Sequence, residues 1–215
     1  MNGRMLRAAA VIGGLVLPAA ARAQADRLAG RLDEPARQAV TALVDSVRAA
    51  GVPADPLINK ALEGASKGAD DSRIVAAVRA LAADLARARA ALGRATTQPE
   101  LVAGAAALRA GAAPAFLGRL RATDPRQSLV MPLAVMADLV SSGVPADTAA
   151  RSVLALVQAG MREADLVAFR QSVERDIALG APAGGAAAAL VGVVTAGNVP
   201  GEPGPSMPPP RPRKP

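Results

Sequence analysis

The five residues Gly51-Val-Pro-Ala-Asp55 recur unchanged as Gly143-Val-Pro-Ala-Asp147, 92 residues further along the chain. This repeat constrains the fold because it joins a helix stop to a helix start. A glycine just past the last helical residue takes the left-handed conformation at little cost. Proline suits the first turn of the next helix, and aspartate there meets its positive end. Sliding the chain by the same 92 residues brings further identities into line: Leu62 with Leu154, Gly68 with Gly160, Val75 with Val167, Ala76 with Ala168 and Asp84 with Asp176. Apolar types also coincide at Val47 and Leu139, Ile74 and Leu166, Leu81 and Val173, and Leu85 and Ile177. Pentapeptide, second glycine and apolar register together point to an internal duplication.

Between its two glycines, the first copy carries Leu57, Ile58, Ala61, Leu62 and Ala65. The second carries Ala149, Ala150, Val153, Leu154 and Val157 at the same offsets. Each set forms one apolar stripe on a helix. Asp70, Asp71 and Ser72 offer N-caps for the next helix, whose stripe is Ile74, Val75, Val78, Leu81, Ala82 and Leu85. Small residues such as Gly64, Ala65 and Gly68 let helices approach closely. The same grammar predicts about nine short antiparallel helices near 34–50, 54–67, 72–92, 98–110, 113–122, 127–142, 145–159, 163–179 and 182–196. The predicted fold class is all-α, a helical-repeat array or a bundle. No named repeat family is resembled. The units are too short, and lack the tryptophan and tyrosine positions, for tetratricopeptide repeats, and the ankyrin T-P-L-H signature is missing.

Composition agrees. Hydrophobic residues make up 51% of the chain but aromatics only 1%, as Phe116 and Phe169. The core must therefore be built from Ala, Val, Leu and Ile, in a sequence whose alanine, leucine and arginine favour helix. The absence of His and Cys removes the usual ligands of zinc, copper, haem and iron–sulfur clusters, and with them any Ser-His-Asp triad. No cofactor or metal is predicted.

The N-terminus resembles a secretory leader. Arg4 and Arg7 precede the apolar run Ala8–Leu17, and Pro18 leads into small residues ending Ala21-Arg-Ala-Gln-Ala25. This is a charged region, an apolar region and an A-x-A cleavage site, predicting cleavage after Ala25 and an exported, periplasmic or secreted protein. The run is too short to span a bilayer, which takes about 20 apolar residues. The expected organisation is a signal peptide at 1–25, a single α-helical repeat domain at 26–198, and a disordered, proline-rich basic tail at 199–215.

The formal charge of +7 suggests nucleic acid only until its distribution is read. Removing Arg4, Arg7 and Arg22 leaves 22 bases against 18 acids. Setting aside Arg211, Arg213, Lys214 and Glu202 as well leaves 19 against 17. No basic face is implied, and aromatic platforms for bases are lacking, so no nucleic-acid partner is predicted. The tail's cations are expected to touch an anionic surface weakly. The segment Ile177–Gly201 is uncharged but diluted by glycine and alanine. It reads as a terminal packed helix rather than a membrane span.

Candidate sites are few. Lys60, Glu63 and Lys67 share one helix face by spacing, as a contact cluster for a small anion or as ordinary ion pairs. Gly64-Ala-Ser-Lys67-Gly68 lacks the spacing of a phosphate loop. The carboxylate pairs Asp70 and Asp71, Glu163 and Asp165, and Glu174 and Asp176 lack the aromatics of a sugar cleft, and two of the three sit at helix starts. No catalytic residue is predicted. The functional expectation is a non-catalytic scaffold, adaptor or binding module whose partner is a protein or envelope component. The alternatives are an exported carboxylate-dependent enzyme acting on cell-wall material and a membrane-tethered structural protein.

Overall fold

Alanine-rich stripes closed by glycine at one end and opened by proline or a polar cap at the other become helices in the computed structural model of the protein. It describes residues 28–123 and 125–197. The leader with its Ala25 cleavage point and the tail 199–215 lie outside the described residues.

The described residues hold nine α-helices and no strand: α1 Glu34–Ala49, α2 Asp55–Ser66, α3 Asp71–Leu92, α4 Gln98–Arg109, α5 Pro114–Thr123, α6 Val130–Ser141, α7 Ala146–Gln158, α8 Glu163–Ala178 and α9 Ala183–Gly197. The protein is all-α. Gly51 and Gly143 do what the repeat requires, with φ of 69° and 93°. After α1, the Gly51 and Val52 amides donate to the Arg48 and Val47 carbonyls, both at 2.9 Å. After α6, the Gly143 and Val144 amides donate to Val140 and Leu139, at 2.9 and 3.0 Å. These paired bonds satisfy carbonyls that the helix end would otherwise leave without partners. Helix bounds follow the sequence closely except at α6. That helix was expected from residue 127 and begins at Val130, because the segment before it is held by other contacts, described below.

Contacts divide the chain into two compact units. One holds the described residues up to Ser46 with Ala54–Arg79; the other holds Val47–Pro53 with Ala80 onward. In the first, Val40, Val44, Leu57, Ile58, Ala61, Ile74 and Val78 are buried. Gly64 serves the close approach expected of it: a Cβ there would lie 2.7 Å from Ile74 Cγ1. Gly68 does not, since a Cβ there would meet nothing within 4 Å; it ends α2 instead, with φ of 65°.

In the second unit, α6 packs against α4, α7 and α8, α5 against α7, and α9 against α7 and α8. Leu101, Leu117, Leu133, Met136, Leu139 and Leu156 are fully buried there. Phe116 and Phe169, the chain's two aromatics, are buried too. Helix α9 covers the end of this unit with Ala186 and Ala187, while Val193 stays 70% exposed. Among the described residues no helix is long and apolar enough to cross a membrane.

Candidate functional site

The structure brings Lys60, Glu63 and Lys67 together. Glu63 accepts from Lys60 Nζ at 3.0 Å and from Lys67 Nζ at 2.5 Å, one lysine on each oxygen. The Lys67 and Lys60 hydrogen bonds hold its carboxyl at about 2, well below the usual carboxylate value. All three residues lie on the solvent side of α2 and engage one another, which is the ordinary behaviour of a charged helix face.

One member of each carboxylate pair is engaged with another group. Asp71 Oδ2 accepts the Asp33 amide at 2.8 Å, and Asp165 Oδ2 reaches back to the Arg162 amide at 2.9 Å. Glu174 accepts from Arg170 Nη1 at 2.8 Å. Asp165 thus caps the start of its own helix, whereas Asp71 serves the amide ahead of α1. Among the described residues no three acidic side chains gather to hold a metal.

Two buried acids were not singled out by the sequence. Asp84 on α3, 5% exposed, accepts Arg109 Nε at 3.0 Å and Nη2 at 2.7 Å, and its other oxygen faces Arg87. Glu100 on α4 is 4% exposed and collects more. Its Oε2 accepts the Thr97 amide at 2.9 Å and the Thr97 hydroxyl at 3.0 Å. Its Oε1 accepts Arg121 Nη2 at 2.6 Å and the Leu129 amide at 3.1 Å. Burial pushes its carboxyl pKa up, but the Thr97 amide, the Arg121 guanidinium, the Leu129 amide and the Thr97 hydroxyl together hold it down at about 2. Arg121 also reaches the Pro125 and Gln127 carbonyls, both at 3.3 Å. The end of α5 and the approach to α6 are thus tied to the start of α4, which explains the late start of α6. Thr97-Gln-Pro-Glu100 is a capping box with proline in the first turn, so half of this junction was visible as a T-x-x-E pattern. Its partners at residues 121 and 129 were not.

The second unit also carries an open groove of about 600 Å³ between α4 and α6. Val102, Ala103 and Ala106 line one side, and Val130, Ala134 and Ala137 the other. Val102, 41% exposed, is among the few large apolar side chains left in solvent. The only charged residue lining the groove is Asp138, whose Oδ2 lies 3.6 Å from Arg170 Nε. Alanine walls were predictable as helix faces; that two of them stand open and side by side was not. Neither protein-family models nor curated proteins nor solved structures yield a match to this chain.

Proposed function

We propose that this chain is an exported, non-catalytic helical-repeat protein that works by contact, and that the α4–α6 groove receives the apolar face of one helix from an envelope protein. The groove is the observation that carries the reading. Its walls are helices of 12 residues each, about 18 Å long, so a partner helix of about three turns matches them. Alanine walls allow a helix axis to come within about 8–10 Å. Apart from Gln98 and Asp138 the groove's lining is apolar, which complements a helix with an uncharged stripe, with Asp138, loosely met by Arg170 at 3.6 Å, left to accept one Lys or Arg beside it. The leader pattern ending at Ala25 supports export, and the 92-residue repeat supports an origin by duplication. In this reading Arg211, Arg213 and Lys214 add a weak, salt-sensitive attraction to an anionic surface.

The test has two parts. N-terminal sequencing of the protein from its native host should begin at Asp26, outside the cytoplasm; intact Met1 on cytoplasmic protein overturns export. A partner recovered from envelope extract by the parent should be lost with Val102→Arg. That site is exposed enough to accept charge without unfolding. Equal recovery by a folded Val102→Arg protein overturns the groove.

A further inference from the structure

A second opening, smaller and more enclosed than the groove and sharing no residue with it, lies between the start of α5 and the first turns of α7. Its volume is about 170 Å³. Phe116, Ala150 and Leu154 contribute apolar lining, and Arg119, Asp147 and Arg151 the charges. Phe116 and Leu154 are buried at its base, while the two arginines and Asp147 are exposed.

What sets this recess apart is the placing of charges around an apolar hollow. Other basic side chains in this stretch meet carboxylates, Lys60 and Lys67 at Glu63, Arg109 at Asp84 and Arg121 at Glu100, although Arg73 and Arg79 on α3 do not among the described residues. At the recess Arg119 has no side-chain partner among the described residues. Arg151 has only a 3.4 Å contact from Nη2 to the Thr148 hydroxyl. Asp147 and Arg151 are spaced i, i+4 on α7, yet they form no ion pair with each other. Two guanidinium groups and one carboxylate therefore surround an apolar hollow without neutralising one another.

We infer that this recess binds a small organic monoanion, with its carboxylate at the Arg119 and Arg151 guanidiniums and a compact apolar body against Phe116, Ala150 and Leu154. The size matches a six-carbon body, since an apolar cavity of about 150 Å³ accepts benzene. Guanidinium forks suit a planar carboxylate better than a point charge. Asp147 sets the charge limit. With two cations against one anion, the rim carries one net positive charge, which favours a monoanion and repels the second charge of a dianion.

Benzoate is the probe. Titrated into the full chain and followed by amide NMR, it should shift resonances of Phe116 and Arg151, with a Kd of about 1 mM, ordinary for so few atoms. R119Q and R151Q should each weaken it about fivefold, the size of one solvent-facing charge contact. Benzyl alcohol, with the same ring and no charge, should bind at least about fivefold less well, and phthalate should bind less well than benzoate. D147N should tighten benzoate and narrow its margin over phthalate. A150F should fill the recess and abolish binding; if that variant fails to fold, the arginine variants decide. Saturable benzoate binding that maps elsewhere, that ignores both arginine changes, or that benzyl alcohol equals would overturn the site. So would no saturation by concentrations far above 1 mM, about the Kd expected for a ligand of this size.

Discussion

Glu63 and Glu100 have the same residue type, the same depressed carboxyl pKa of about 2, and opposite meanings. Glu63 stands on the outer face of α2 between Lys60 of that helix and Lys67 at its C-cap, three and four residues away. Glu100 is buried and draws on residues 3, 21 and 29 positions away in sequence. An exposed triad is screened by water and salt, and either lysine can turn to solvent when its partner is lost. A buried carboxylate that closes four donors has no such escape. Without it, the Leu129 amide and the Arg121 guanidinium lose a partner in a place water reaches poorly. A depressed pKa alone therefore does not mark a structural keystone; the burial and sequence separation of its causes do.

The comparison breaks most directly at Glu100. Glu100→Ala is expected to lower stability by about 3 kcal/mol, as when one member of a buried ion pair is removed. Chemical denaturation would show whether this holds; a loss no larger than that of an average surface mutation would contradict the role of Glu100. Arg121→Met leaves Glu100 its amide and hydroxyl donors, so the cost should fall to about 2 kcal/mol. Thr97→Ala removes the cap hydroxyl but spares the arginine, and about 1 kcal/mol is expected. Glu63→Gln should lower the melting temperature least of the four, because its two ion pairs are exposed and screened.

The pH dependence sharpens the contrast. The folded pKa of Glu100 lies below the unfolded value of 4.5. Its stabilisation is therefore complete above pH 4.5 and is lost as the pH falls from there toward 2. Glu100→Gln should flatten the stability profile across that window relative to the parent. Glu63 shifts in the same direction, but at about 1 M salt the screening length shrinks to about 3 Å. Carboxyl titration by NMR should then find Glu63 moved back toward its ordinary value and Glu100 unmoved. Equal movement of both would erase the distinction.

The nine helices were legible because each is announced locally. Apolar stripes such as Leu57, Ile58 and Ala61 show the buried side, Gly51 and Gly143 the ends, and Pro99 and Pro114 the starts. Even the Thr97 and Glu100 capping box lies within four residues. The start of α6, expected near residue 127, falls at Val130 because the deciding donors and acceptors, Glu100 and Arg121, lie 29 and 8 positions from Leu129, beyond the reach of any local pattern.

The sites follow the same division. Lys60, Glu63 and Lys67 were found from spacing, because helix geometry alone brings side chains three and four residues apart together. The α4–α6 groove and the α5–α7 recess were not, since each depends on which alanine faces are left uncovered when helices pack. Sequence by itself determined the all-α class, the helix ends other than the start of α6, and the self-contained ion pairs, all settled by the few residues on either side. Tertiary structure alone decided which acids are buried, which arginines are left without a carboxylate, and where two helix faces stand open, because these depend on contacts between residues that the chain brings together only by folding.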